Sequence, residues 1–249
     1  MTAVEGKVAE ALDPITVEVI GNALASIAEE MGETLVRASY STNIKERRDS
    51  STCLFDADGR TLCQAMHIPM HLGSLIGIVE AIYRRVPMSE IAEGDVFIGN
   101  DAYTGGGTHL PDITLIAPVI LSGEAAPAFF TAARGHHADI GGITPGSMPP
   151  DSKRIEDEGV LLENVLLVRE GRLLEAETRA LFASGPHPAR DIDRNLADLK
   201  AQIASVVRGG EELKRLVAHY GRAGVAAYMR LRHRRLHDRG RSVRRVCIG

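Results

Sequence analysis

Two apolar runs rich in β-branched and aromatic residues, Ile113–Leu121 and Ala128–Ala133, flank the short link Ser122-Gly-Glu-Ala125. No other feature constrains the fold as much. Each run has strand length and the link has turn composition, so the pair reads as a hairpin. Pairing of this kind sets the residues that enter the first strand beside those that leave the second. The entering stretch is Gly99-Asn-Asp-Ala-Tyr-Thr-Gly-Gly-Gly-Thr-His-Leu-Pro-Asp112, and the leaving one is Ala133-Arg-Gly-His-His-Ala-Asp-Ile-Gly-Gly142.

Between them these stretches hold His109, His136 and His137, three of the nine histidines, together with Asp101, Asp112 and Asp139. The hairpin would bring His109 and Asp112 to face His136, His137 and Asp139 across one sheet edge. Neutral imidazole nitrogen and carboxylate oxygen together suit divalent cations such as Mn, Zn or Fe. A site with open positions could then take water or substrate. The plainer reading is two polar turns whose histidines bond backbone.

Composition excludes several classes. Aromatic residues make up 4% of the chain and there is no Trp, which argues against a base-stacking nucleic-acid surface. No apolar stretch is long enough to span a membrane and no secretory leader is evident, so the expected compartment is the cytoplasm. Cys53, Cys63 and Cys247 are too few and too irregularly spaced for a disulfide framework. Charge is uneven: from Arg230 to Gly249 there are eight arginines against Asp238, a surplus of +7, and the whole chain carries −4, which leaves −11 elsewhere.

In chain order, residues 1–12 read as a flexible leader, 13–188 as an α/β metal-site domain, 189–229 as a helical segment and 230–249 as a basic tail. Asp13-Pro14 should start a helix whose stripe is Ile20, Leu24, Ile27, Met31 and Leu35. The polar stretch Ser41–Ser51 is either a solvated loop or a contact for substrate or phosphate through Asn43, Arg47 or Arg48. Cys53–Cys63 reads as a hairpin turning at Asp58-Gly59. His67 and His71 read as structural or supporting groups, with His71 opening the next helix. A short strand is expected at Asp95–Gly99. Ile143–Asp157 is a long loop, functional or mobile, ending beside Glu158, which is either a base, a ligand or a solvated charge. A further hairpin is expected around the turn Arg169–Arg172. A helix over Ala189–Arg208 would close at Gly209-Gly210 as a C-cap, followed by one ending at Gly221. The fold class is therefore α+β: a mixed sheet built from β-hairpins with packed helices and a C-terminal helical segment.

Six stretches also carry a resemblance: Ser41–Ser51, His67-Ile-Pro-Met-His-Leu-Gly73, Gly99-Asn-Asp-Ala-Tyr103, Gly107-Thr-His-Leu-Pro-Asp112, Arg134–Gly142 and Asp198-Leu-Lys-Ala-Gln202. Over roughly Asp13 to Met229 the chain resembles the B subunit of the hydantoinase B/5-oxoprolinase family, which includes ATP-dependent N-methylhydantoinases and 5-oxoprolinases and is related to acetone carboxylases. The resemblance implies a hetero-oligomer with a hydantoinase A-type subunit that binds ATP, a small cyclic amide as substrate, and no nucleic acid or membrane. By match, the metal ligands would be His109, Asp112 and one of His136 and His137, with His136 favoured. ATP would phosphorylate the amide oxygen and the metal would supply the nucleophile. Asp139 would orient a ligand histidine, Glu158 would move protons, and Asn43, Arg47 or Arg134 would hold the substrate. Ketone carboxylation, or a non-catalytic relic or scaffold, are the alternatives. Family members run to about twice this length, so a truncated or frameshifted gene, a split subunit, or a basic nucleic-acid arm would each account for the tail.

Overall fold

The computed structural model describes residues 13–65, 68, 71, 73–103 and 107–247, with side chains as far as 232. The leader and His67 lie outside the described residues. No helix among the described residues is long and apolar enough to cross a membrane.

Helix α1, Pro14–Ala38, begins where Asp13 accepts from the backbone N–H groups of Ile15 and Thr16, both at 3.0 Å, and proline fills the first turn. Its buried stripe is the expected Ile20, Leu24, Ile27, Met31 and Leu35. One turn of helix, α2 (Thr42–Lys45), leads into β1 (Ser50–Asp56). Strand β2 (Thr61–Gln64) returns from the turn at Asp58-Gly59, where Gly59 has φ 77°.

After α3 (Ile78–Arg85) come β3 (Val96–Gly99), the long pair β4 (Asp112–Ile120) and β5 (Pro127–His136), and then β6 (Val165–Arg169) and β7 (Arg172–Leu173). Helix α4 (Glu175–Phe182) precedes α5 (Ile192–Cys247). The seven strands form one sheet in the order β2-β1-β5-β4-β3-β6-β7. The α+β class and the hairpin construction are those expected, and each pairing in the sheet is antiparallel.

Strand alternation sorts the sheet into two faces. On one, Leu54, Leu115, Val119, Phe129 and Ala133 pack against the stripes of α1 and α5. On the other, Cys53, Phe55, Ile116, Phe130 and Ala132 pack against Ile78, Val79 and Ile82 of α3.

Two local expectations are corrected. His71 does not open α3: residues 73–77 form turns with Gly73 at φ 82° and Gly77 at φ 87°, and the helix starts at Ile78. Gly209-Gly210 is not a C-cap. The helix runs through it, because a Cβ on Gly209 would stand 2.3 Å from Met31 Sδ, so the glycine lets α5 approach α1. The interruption comes instead at Gly221, whose φ and ψ are 72° and 150°, and the basic stretch continues as helix to Cys247. The turn that follows β5 is tied down through its own backbone amides. Asp139 accepts from Gly141 N and Gly146 N, each at 3.0 Å, and Gly142 N donates to His187 O at 2.9 Å.

Candidate metal centre

At the end of the sheet where β4 begins and β5 ends, Asp112 and His136 are direct register partners. The turn before β4 adds His109: Asp112 N donates to His109 O at 3.1 Å. That turn is fixed by Asn100, whose Nδ2 donates to Leu110 O and Val160 O at 2.8 and 2.9 Å and whose Oδ1 accepts from Leu162 N at 2.7 Å. The glycine-flanked Gly99-Asn-Asp motif thus serves as a structural pin. Asp101 caps its own turn at Tyr103 N.

His109 Nε2 and His136 Nδ1 each lie 3.2 Å from Asp112 Oδ1. One ligand atom from each of the three residues lies within 4.8 Å of the other two. Atoms bound at ~2.1 Å to one ion stand ~3.0 Å apart at right angles and ~3.4 Å apart at tetrahedral angles, so the observed spacing suits a shared cation. The state of Oδ1 supports this fit. It is buried and has no hydrogen bond, because neither imidazole points an N–H at it in bonding geometry despite the short distance. A buried carboxylate oxygen left in this state is costly unless a proton donor or a cation meets it.

The other oxygen, Oδ2, accepts from the Thr108 hydroxyl and lies 3.4 Å from His71 Nε2. Burial alone would push the Asp112 carboxyl up, but the ring nitrogens of His109, His136 and His71 gathered around it and the Thr108 hydroxyl outweigh it and hold the group well below the usual carboxylate range. The nearby Asp112 carboxylate in turn raises His109. His109 is 33% exposed against 2% for Asp112, so the cluster is reached from solvent past His109.

Beneath this layer, on the same face of the sheet, Ser51, Arg134 and Thr114 are aligned by register. Arg134 is fully buried. Its Nε donates to Thr114 Oγ1 at 2.9 Å and its Nη1 to Ser74 Oγ, and burial lowers it to about 10 against the pull of Asp112.

The remaining sequence-derived candidates lie outside this trio. His137 alternates onto the opposite face and is sealed between Gln202 Oε1 and Asn195 Nδ2, both at 3.0 Å, and burial lowers its pKa. Asp139 is engaged by Arg190 at 2.7 Å and by the turn amides rather than by a histidine of the trio. Burial would raise it, and those donors lower it. Glu158 accepts from Ser152 at 2.9 Å. Asn43 contributes its backbone carbonyl to the turn through Asp49 N at 3.0 Å, and Arg47 is exposed. Arg134, expected to hold substrate, is enclosed beneath the cluster.

Sequence reasoning missed Asp49. Its carboxylate stands 3.8 Å from His136 Nδ1 and 4.0 Å from His71 Nε2. It belongs to Ser41–Ser51, the run read as either a solvated loop or a contact for substrate or phosphate. Only the pairing of β1 with β5, which follows it immediately with Ser50 opposite Gly135, brings it to the cluster. Thr108 was missed as well, although the spacing Thr-His-x-x-Asp could have indicated it.

Residues 13–245 match the family model described as hydantoinase B/oxoprolinase, and the chain belongs to that family. It is 44% identical over 218 residues to a 5-oxoprolinase of Dictyostelium discoideum, a match that covers 88% of this chain and 17% of the relative. The caprolactamase subunit beta of Pseudomonas jessenii is 36% identical over 211 residues, covering 84% of this chain and 35% of the subunit. The crystal structure of that ATP-dependent caprolactamase superposes with a TM-score of 0.78 at 33% identity, over 88% of this chain and 37% of the other. A nucleotide-free acetone carboxylase structure has the same fold, with a TM-score of 0.75 at 20% identity over 87% of this chain and 28% of the other. The chain thus spans well under half the length of each of these relatives.

Proposed function

We propose that this chain is the metal-site portion of an ATP-dependent hydrolase of cyclic amides, working with an ATP-binding A-type partner. The observation that carries the reading is the convergence of His109 and His136 on the unsatisfied Oδ1 of Asp112, open to solvent on one side. Likeness to a 5-oxoprolinase and to a caprolactamase subunit supports ring opening over carboxylation, since the carboxylase likeness extends to the fold alone.

His109, Asp112 and His136 would hold the cation, with Asp49 near enough to complete the set. A divalent ion there supplies charge that stabilises a developing oxyanion and makes water a better acid. The β4–β5 register sets Asp112 against His136, and the turn pinned by Asn100 keeps His109 in place. The amide is activated by phosphorylation at the partner, because an unactivated lactam is held by resonance. Asp49, 34% exposed and beside His136, is the group in this chain best placed to accept a proton from an incoming water.

The test combines metal content and turnover. The purified chain should retain about one divalent ion (Mn, Zn or Fe), and Asp112→Ala should lose it without loss of the far-ultraviolet circular dichroism of the fold. Together with an A-type partner, the wild type should open 5-oxoproline, caprolactam or an N-methylhydantoin with ATP and without bicarbonate. Absence of bound metal refutes the reading, and a strict bicarbonate requirement moves it to carboxylation.

A further inference from the structure

His71 and Ser51 are buried beside the cluster and are outside the trio that would hold a cation. His71 Nε2 faces two carboxylates, Asp112 Oδ2 at 3.4 Å and Asp49 Oδ1 at 4.0 Å. Ionised carboxylates only accept, so the ring proton belongs on Nε2. The lone pair is then on Nδ1, where the Ser51 hydroxyl stands at 2.8 Å and serves as the donor. Ser51 comes from β1, so the partner of His71 Nδ1 is held by a strand rather than by a loop.

We propose that Ser51 and His71 are a positioning pair that divides the two oxygens of Asp112. His71 N–H and the Thr108 hydroxyl hold Oδ2, and Oδ1 is left for a cation. The inference rests on the metal reading above and adds residues that act on the site without touching the ion. Three features support it. Oδ2 accepts from the Thr108 hydroxyl and has His71 Nε2 at 3.4 Å, while Oδ1 has no hydrogen bond. In this tautomer, with Nε2–H turned to the carboxylates and Nδ1 accepting from Ser51, neither nitrogen of His71 is available as a ligand, which explains a buried histidine this close to the cluster that stays apart from it. The turn carrying His71 is also anchored independently, since Ser74 Oγ donates to His71 O at 2.9 Å and itself accepts from the buried Arg134. The enclosed guanidinium therefore braces the ring that aims Asp112. Partners of this outer kind typically change metal affinity by ~10- to 100-fold.

The experiment titrates Co²⁺ into the full chain and follows its visible absorption, with thermal unfolding as the folding control. Ser51→Ala and His71→Leu should each weaken Co²⁺ binding about 10- to 100-fold. Ser51→Thr keeps a hydroxyl, and His71→Gln keeps an N–H that can reach Oδ2, so both should bind within a few-fold of wild type with an unchanged spectrum. If His71→Gln is as weak as His71→Leu and both shift the absorption bands, His71 is a ligand and the proposal is overturned. Wild-type affinity in Ser51→Ala and His71→Leu overturns it too, leaving the pair merely structural. Failure of the wild type to bind Co²⁺ sinks the metal reading itself, a result distinct from either.

Discussion

On the α3 side of β5, His136 stands 3.2 Å from a carboxylate oxygen that has no hydrogen bond, in a cluster open to solvent past His109. On the α5 side, one residue along, His137 has both ring nitrogens engaged by the amides of Asn195 and Gln202. The side chains are identical and adjacent, and strand alternation alone sends them apart. What they meet decides what each can do. An imidazole whose partner is an unsaturated carboxylate is ready for a cation, while one enclosed by neutral amides is a structural rivet. Gln202 completes the back side: its Nε2 donates to Ile113 O and Ala133 O, both at 2.9 Å, and so clasps β4 to β5 behind Asp112 and His136.

That contrast can be broken directly. His136→Ala should cost more metal affinity than the ~10- to 100-fold expected of an outer partner, measured by metal analysis after dialysis, with little change in melting temperature. His137→Ala should do the reverse. It strands two buried amides, and denaturant unfolding should show a loss of about 2–4 kcal/mol with metal still bound to the folded fraction. If the two substitutions exchange phenotypes, the assignment of the faces is wrong. Gln202→Leu sharpens the comparison at a smaller scale. It removes the amide donor shared by two strand carbonyls and the partner of His137 Nε2, while Asn195 still holds Nδ1, and a loss of about 1–3 kcal/mol is expected by the same unfolding assay.

The smallest effect is expected at Asp139. Its folded pKa lies below the ordinary 3.8, so its contribution to stability is complete above that value and is lost as pH falls through the folded one. The difference in melting temperature between wild type and Asp139→Asn should therefore be constant near neutrality and shrink below pH ~4. A difference that persists at pH ~2 would mean that its bonds to Arg190 and the turn amides act sterically.

Legibility varied with the range over which each feature is built. The β4–β5 hairpin, the stripe of α1 and the cap at Asp13 were all readable, because each follows from residues within a few positions of one another. The convergence of His109, Asp112 and His136 was readable for the same reason, since one hairpin supplies all three. Asp49 was not, because it reaches His136 through the pairing of β1 with β5, strands adjacent in the sheet but far apart in sequence, which leaves no local pattern. Gly209 was misread because a glycine that permits close approach of two helices looks, in sequence, like one that ends a helix.

Periodicity and turn chemistry by themselves determined the main hairpins, the stripe of α1, and that imidazole and carboxylate groups gather at one end of the β4–β5 hairpin. Tertiary structure alone decided which histidine faces the cluster, that Arg134 is enclosed beneath it, and that Asp139 belongs to Arg190. The reason is that a local pattern specifies only that a side chain is buried. What it is buried against depends on elements distant in the chain, and here α5, β1 and the turn before α3 supply those neighbours.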